Sequence, residues 1–127
     1  MVGELLVEYI DDGRKLLELL DVDDKFKVTA ALWYYFSESS EWRLLIGSPY
    51  VGKRGKKKSF DLIQSIMRSS LPDSKLSLDK ITPMNSSDPF LKLLKGFIKY
   101  EGICGIRVTN SKVNDLLIED SYIYRNV

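Results

Sequence analysis

The stretch from residue 26 to residue 48 constrains the fold most, because it has the pattern of a β-hairpin. Its first half alternates between two sets of side chains and is rich in β-branched and aromatic residues, as a strand is. A polar connection at residues 37 to 40 follows, after which Trp42, Leu44 and Ile46 resume the alternation. We therefore predict two antiparallel strands at the centre of the sheet. The two sets are Phe26, Val28, Ala30, Leu32, Tyr34 and Phe36, against Lys27, Thr29, Ala31, Trp33 and Tyr35.

Three segments have the apolar spacing of amphipathic helices. The first covers residues 4 to 20, and Gly13 lies on its apolar stripe, where we expect the helix to approach the sheet closely. The second is predicted to begin with Ser59 as its N-cap, after a loop. The third begins at Asp88-Pro89, an acidic N-cap followed by proline at the first helical position, and runs to about residue 100, with Gly102 as the glycine that ends it.

The remaining segments predict short strands. Pro83 assigns the strand within residues 71 to 87 to an edge of the sheet. The chain then ends with a strand at residues 106 to 108, a turn at 110 to 112 and a strand at 116 to 124. The order α-β-β-α-β-α-β-β predicts a single α+β domain over residues 1 to 127. We expect about four to five strands in a mainly antiparallel sheet, covered by three helices.

The composition excludes several kinds of catalysis. The chain has no histidine, which excludes Ser-His-Asp and Cys-His catalysis as well as histidine-ligated zinc. Its one cysteine, Cys104, excludes an internal disulfide and a CxxC pair, and we interpret it as a small buried residue. No complete catalytic motif is present. Any catalysis would have to use carboxylates, Lys, Tyr or a carboxylate-held cation. The sequence thus leaves the question of an enzyme open and favours a protein that is not one, and it assigns no catalytic residues, no cofactor and no metal ligands.

The sequence also predicts where the protein resides. No run of apolar residues reaches the roughly 18 that a membrane-spanning helix needs. The N-terminal segment lacks the basic region of a signal peptide and carries four acidic residues in its first twelve. We therefore expect a cytoplasmic protein with no membrane partner.

The positive charge is concentrated in one segment, although the net charge is only +1. This segment is predicted to be a loop, and its candidate contacts with phosphate or nucleic acid are Lys53, Arg54, Lys56, Lys57 and Lys58. The sequence from Gly47 to Lys53 also fits the GxxxxGK pattern of a phosphate-binding P-loop. Arg54, however, stands where that motif requires Ser or Thr, and Pro49 removes one backbone donor. We therefore interpret the segment as a flexible basic loop.

Aromatic residues give a second candidate site. Trp33, Tyr35 and Trp42 lie in the hairpin, and their face is either covered by a helix or presented to a partner. Because Trp and Tyr are enriched at interface hot spots, these three residues are a candidate interface. The first function hypothesis is thus a non-catalytic interaction or structural module, a homodimer formed through this aromatic face. The alternative is binding of nucleic acid or a phosphate ligand through residues 53 to 58.

Two adjacent acids in the last strand form a third feature. Glu119 and Asp120 face opposite sides of the sheet, so at least one of them needs a partner such as Arg107 or Arg125. A carboxylate-and-metal nuclease would need an acid followed by an acid-x-lysine on adjoining strands, and the acids of this chain lack that order. We therefore favour a structural pairing of Glu119 with an arginine over a hydrolytic site.

Four segments together resemble a family of small bacterial proteins that has no assigned activity. They are DDGRKLLELL, VTAALWYYF, RLLIGSP and IEDSYIYR, and the likeness covers most of the chain. These segments are core and hairpin patterns. The resemblance therefore implies an α+β fold and a bacterial origin, and it assigns no functional residue.

Overall fold

The computed structural model describes residue 5 and residues 7–96, 98–113 and 115–127. Over these ranges it has the predicted α+β fold, with three helices and a five-stranded sheet in the predicted order. The predicted start of the first helix, at residue 4, lies outside the described residues. The elements are α1 (Val7–Val22), β1 (Ala30–Phe36), β2 (Glu41–Ser48), α2 (Pro49–Ser70), β3 (Ile81–Asn85), α3 (Pro89–Lys95), β4 (Ile106–Val113) and β5 (Leu116–Asn126).

The sheet has the strand order β3-β2-β1-β5-β4, so the predicted hairpin of β1 and β2 lies at its centre. The pairs β1–β2, β1–β5 and β4–β5 are antiparallel. The pair β2–β3 is parallel, because α2 crosses from the end of one strand to the start of the other. Pro83 lies in β3 at the edge of the sheet, as its missing N–H predicts.

Helices cover both faces of β1, which explains why its side chains are apolar on both sides. Trp33 and Tyr35 belong to the core on the α1 and α2 side, whereas Leu32 belongs to the core on the α3 side. The predicted alternation is thus confirmed from Ala30 onward. It is wrong for Phe26 and Val28, which join the core of Trp33 because they precede the strand and lie in the connection from α1.

Gly13 allows α1 to lie against the sheet, as its position on the apolar stripe predicted. A Cβ atom at Gly13 would lie 2.5 Å from the Tyr124 hydroxyl and 3.0 Å from Trp33 Nε1. Those two groups form a buried chain, in which Trp33 Nε1–H donates to Tyr124 Oη at 3.1 Å. The Tyr124 hydroxyl in turn donates to the Ile10 carbonyl at 2.5 Å. Burial raises the pKa of Tyr124, so the hydroxyl remains a neutral donor.

The second helix begins eleven residues before its predicted start. Its N-cap is Ser48 rather than Ser59, and Pro49 is its first residue. The Ser48 side chain accepts a hydrogen bond from the Tyr50 N–H at 3.1 Å, and proline at the first helical position needs no donor. The prediction of a loop over residues 50 to 58 is therefore wrong.

Two other boundaries differ from prediction. Helix α3 begins as predicted, with the Asp88 carboxylate accepting from the Phe90 N–H at 2.9 Å, but it ends at Lys95 with Gly96 as its C-cap instead of Gly102. Strand β4 continues through residues 110 to 112 instead of turning, and Ser111 and Lys112 pair with Ile118 and Leu117 of β5. Asn110 has a positive φ of 45° within this strand, a conformation that asparagine adopts more readily than most residues.

Candidate functional site

A cavity of about 580 Å³ lies between the start of α2 and the connection from α1 to β1. Its volume is within the range of small-molecule sites. Five of its seven lining residues carry a positive charge and none carries a negative charge. This basic cavity is lined by Lys25, Lys27, Pro49, Tyr50, Lys53, Arg54 and Lys58.

One wall of the basic cavity is the connection from α1 to β1. Its side chains alternate, so that Phe26 and Val28 are buried in the core while Lys25 and Lys27 are exposed. The Asp23 carboxylate fixes the turn before it by accepting from the backbone N–H of Lys25 at 2.8 Å and of Phe26 at 3.2 Å. The two lysines were not predicted as site residues, although the same alternation was visible in the sequence.

The opposite wall is the first turn of α2. Val51 is buried in the core and anchors this turn, which leaves Lys53 and Arg54 on the exposed side. This wall therefore contributes side-chain cations to the basic cavity.

The floor of the basic cavity includes the half-buried ring of Tyr50. This ring contacts the ring of Phe26, with centroids 5.3 Å apart and an angle of 47° between the planes. Phe26 is fully buried, so it fixes both the lysine-bearing connection and the position of Tyr50. The aromatic group is thus held in place beside the cations before any ligand arrives.

Gly55 bends α2 within the basic segment. Its φ of 87° and ψ of 167° are open to glycine and strained for other residues, and nothing lies within 4 Å of where a Cβ would be. After the bend, the Ser59 hydroxyl donates to the Gly55 carbonyl at 2.8 Å. Lys58 then reaches the basic cavity, while Lys56 and Lys57 are exposed on the same helix outside it.

The cations of the basic cavity form no ion pair with an acid among the described residues. The ion pairs among the residues that the structure describes join Arg43 to Glu41, Arg107 to Asp120 and Arg125 to Asp21. Lys25, Lys27, Lys53, Arg54 and Lys58 take part in none of these pairs. The five positive charges of the basic cavity repel one another, and a bound anion would reduce this repulsion.

The GxxxxGK pattern does not form a phosphate-binding loop. Strand β2 ends at Ser48 and α2 begins at the next residue, so no glycine-rich loop separates them. Gly52 lies within the helix, and a Cβ there would be 2.5 Å from the Asn85 amide nitrogen at the end of β3. This glycine therefore permits close packing of α2 on β3, and the positive charge reaches the surface through side chains instead.

The candidate interface residues lie inside the chain's own core. The exposed fractions of Trp33, Tyr35 and Trp42 are 0%, 6% and 8%. Trp33 packs against Tyr9 of α1, with ring centroids 5.9 Å apart, so a helix of the same chain covers this face. The structure therefore corrects the assignment of these three residues to an interface, since they offer a partner almost no surface.

Of the two adjacent acids in the last strand, Asp120 forms a structural ion pair. Asp120, rather than Glu119, pairs with Arg107, whose Nε and Nη2 lie 2.5 Å and 2.6 Å from the two carboxylate oxygens.

Cys104 is half-buried, not buried as predicted, and its thiol donates to the Ile123 carbonyl at 3.4 Å. Burial raises the pKa of this thiol, which keeps it protonated and poorly nucleophilic.

Comparison with known proteins gives no match, since no family model, no curated protein and no solved structure is similar to this chain. The resemblance to a bacterial family therefore stays a prediction.

Within the described ranges, no three acidic or cysteine side chains are grouped as metal ligands would be. None of the helices in those ranges has an apolar segment long enough to cross a bilayer.

Proposed function

We propose that this protein binds a phosphate-bearing polyanion in the basic cavity. The observation that carries the proposal is the convergence of five cations, none of them in a described ion pair, on one concave surface. The rest of the chain has an excess of acids, since the net charge of the whole is only +1. The positive field is therefore local, and it would direct an anion to this one place.

The chemistry of the lining side chains suits phosphate. Lysine ammonium groups act as mobile point charges, and the guanidinium of Arg54 can donate two parallel hydrogen bonds to one phosphate. Lys53 and Arg54 come from α2, whereas Lys25 and Lys27 come from the opposite wall. A phosphate between the walls would thus be contacted from two sides.

This proposal develops the alternative hypothesis from the sequence, which was binding of nucleic acid or a phosphate ligand through residues 53 to 58. It changes the set of residues that form the binding site. Three of the predicted contacts, Lys53, Arg54 and Lys58, line the basic cavity, and Lys25 and Lys27 join them. Self-association as a homodimer stays a prediction. It would need a surface other than the buried aromatic face.

The proposal is tested with a fluorescently labelled single-stranded oligothymidine as the phosphate-bearing probe. We expect the dissociation constant from anisotropy to rise steeply between about 50 and 200 mM salt, because bound phosphates release counterions. In Lys27→Gln/Lys53→Gln/Lys58→Gln, three contacts are lost. Affinity at low salt should then fall by roughly tenfold or more, and the salt slope should fall by about 2.

The matched control is Lys92→Gln/Lys95→Gln/Lys112→Gln, which removes the same charge from exposed lysines of α3 and β4. It should keep nearly the affinity of the wild type. Equal losses in the two triple variants would show a nonspecific effect of net charge and overturn the proposal. Binding that is independent of salt would overturn it as well.

A further inference from the structure

We infer that the ligand of the basic cavity is a single-stranded nucleic acid, one base of which stacks on Tyr50. The inference rests on the proposed function and adds the class of ligand to it. Its starting point is the presence of a fixed aromatic ring among the cations. Inorganic phosphate would bind to the cations and would make no stacking contact with the ring.

Tyr50 has the properties of a stacking platform. It lines the basic cavity, it is only half-buried, and its ring contacts Phe26 in the core. A ring held in this way loses little conformational freedom when a base stacks on it. Stacking on an aromatic side chain beside a basic groove is the common mode by which proteins bind single strands.

The distribution of charge favours a chain of phosphates over a single nucleotide. Lys53, Arg54 and Lys58 line the basic cavity, whereas Lys56 and Lys57 are exposed on the same helix outside it. The positive surface therefore extends beyond the space that one nucleotide fills. A strand with one nucleotide in the basic cavity would place neighbouring phosphates within reach of the outer lysines.

The concave shape favours a single strand over a duplex. In a duplex the bases are stacked on one another, so no base face is free to contact Tyr50 unless a base is flipped out at a cost in energy. In a single strand the base faces are available. A volume of about 580 Å³ is sufficient to hold a ligand of nucleotide size.

The test compares three probes with equal numbers of phosphates on the wild-type protein. These are the single-stranded oligothymidine, a strand of the same length without bases, and a duplex hairpin. We expect the thymidine strand to bind about tenfold more tightly than the strand without bases, because stacking adds to the phosphate contacts. The hairpin should bind no more tightly than the strand without bases.

Two substitutions assign this preference to the ring. Tyr50→Phe keeps the ring and should keep the preference for bases. Tyr50→Leu keeps the apolar contact with Phe26, removes the ring, and should reduce affinity only for the thymidine strand. A melting curve for each variant shows whether it is folded.

The outcomes separate the inference from the proposed function. If both single strands bind alike and the Lys27, Lys53 and Lys58 variant weakens both, the inference is wrong and phosphate binding stands. Preferential binding of the hairpin would also overturn the inference. If no probe responds to the triple substitution, the proposed function fails, and the inference fails with it.

Discussion

The arginines of β4 and β5 and the cations of the basic cavity are used in opposite ways. Arg125 is buried, donates to both oxygens of Asp21 at 2.6 Å and 2.8 Å, and also reaches the carbonyls of Gly102 and Val28. Arg107 is held by Asp120 in the same bidentate manner. Around the basic cavity, five cations share one surface and none takes part in a described ion pair.

The difference separates charges that maintain the fold from charges that are available to a ligand. A cation that is paired with an acid of the same chain already uses most of its N–H donors, so few donors remain to bind a ligand. An exposed and unmatched cation adds little to stability and keeps its donors free. Removing a cation that is paired within the chain should therefore lower stability and leave binding nearly unchanged. Removing a cation of the basic cavity should weaken binding and leave stability nearly unchanged.

The largest effect on stability is expected at Arg125. Arg125→Met leaves the Asp21 carboxylate, with 34% of its side chain exposed, and two carbonyls without their donor. We expect a loss of about 3 kcal/mol in the free energy of unfolding, measured with urea, because the buried arginine is the donor to one partly exposed carboxylate and to two carbonyls at once. Affinity for the oligothymidine should stay close to that of the wild type.

Arg54→Met is the counterpart in the basic cavity. Because Arg54 is exposed, its replacement should change the free energy of unfolding by less than about 0.5 kcal/mol. It should weaken binding of the oligothymidine severalfold. If the two arginine variants lost stability to the same extent, the division between structural and ligand-binding cations would be wrong.

The central strands were predictable because their environment agrees with their local pattern. From Ala30 to Phe36 each side chain is assigned to a face by the alternation, and helices cover both faces. Gly13 was predictable for a related reason. A glycine inside a helix lowers its stability, so a glycine on the apolar stripe indicates close packing at that point. The Tyr124 hydroxyl occupies the position that a side chain at Gly13 would need.

The start of α2 was missed although the sequence contains a signal for it. Asp88-Pro89 was correctly interpreted as an N-cap followed by proline at the first helical position, and Ser48-Pro49 has the same chemistry. The glycines and the dense charge of residues 52 to 58 indicated a loop. In the structure, Gly52 allows close tertiary packing against Asn85, whereas Gly55 supplies the positive φ at which the helix bends, and local propensity predicts neither role.

The basic cavity could be predicted only in part. The charge of residues 53 to 58 is evident in the sequence, but Lys25 and Lys27 are about 30 residues away along the chain. They meet α2 because β1 and β2 pair in register, which brings Thr29 to Gly47 through a backbone hydrogen bond of 2.9 Å. That proximity depends on strand pairing and on the burial of Phe26.

A double-mutant cycle on Arg107 and Asp120 tests a smaller effect. Asp120 has 10% of its side chain exposed and Arg107 has 45%, so water weakens this pair only partly. From Arg107→Met, Asp120→Asn and the double variant, we expect a coupling energy of about 1 to 2 kcal/mol in urea unfolding. The same cycle on Arg43 and Glu41, whose side chains are 31% and 43% exposed and which share a single hydrogen bond, should give less than about 0.5 kcal/mol. Equal coupling energies would show that burial does not distinguish the matched pairs.

The smallest expected effect has the opposite sign and concerns the basic cavity itself. Lys27→Gln/Lys53→Gln/Lys58→Gln removes three like charges that converge there, so it should slightly raise the melting temperature at low salt. Salt screens such repulsion, and the gain should disappear as the ionic strength increases. The triple variant of Lys92, Lys95 and Lys112 undergoes the same change in net charge without relieving that cluster, so it should gain less. If the substitutions at the basic cavity instead lowered the melting temperature at all salt concentrations, those lysines would contribute to the fold, and the contrast with Arg125 would be lost.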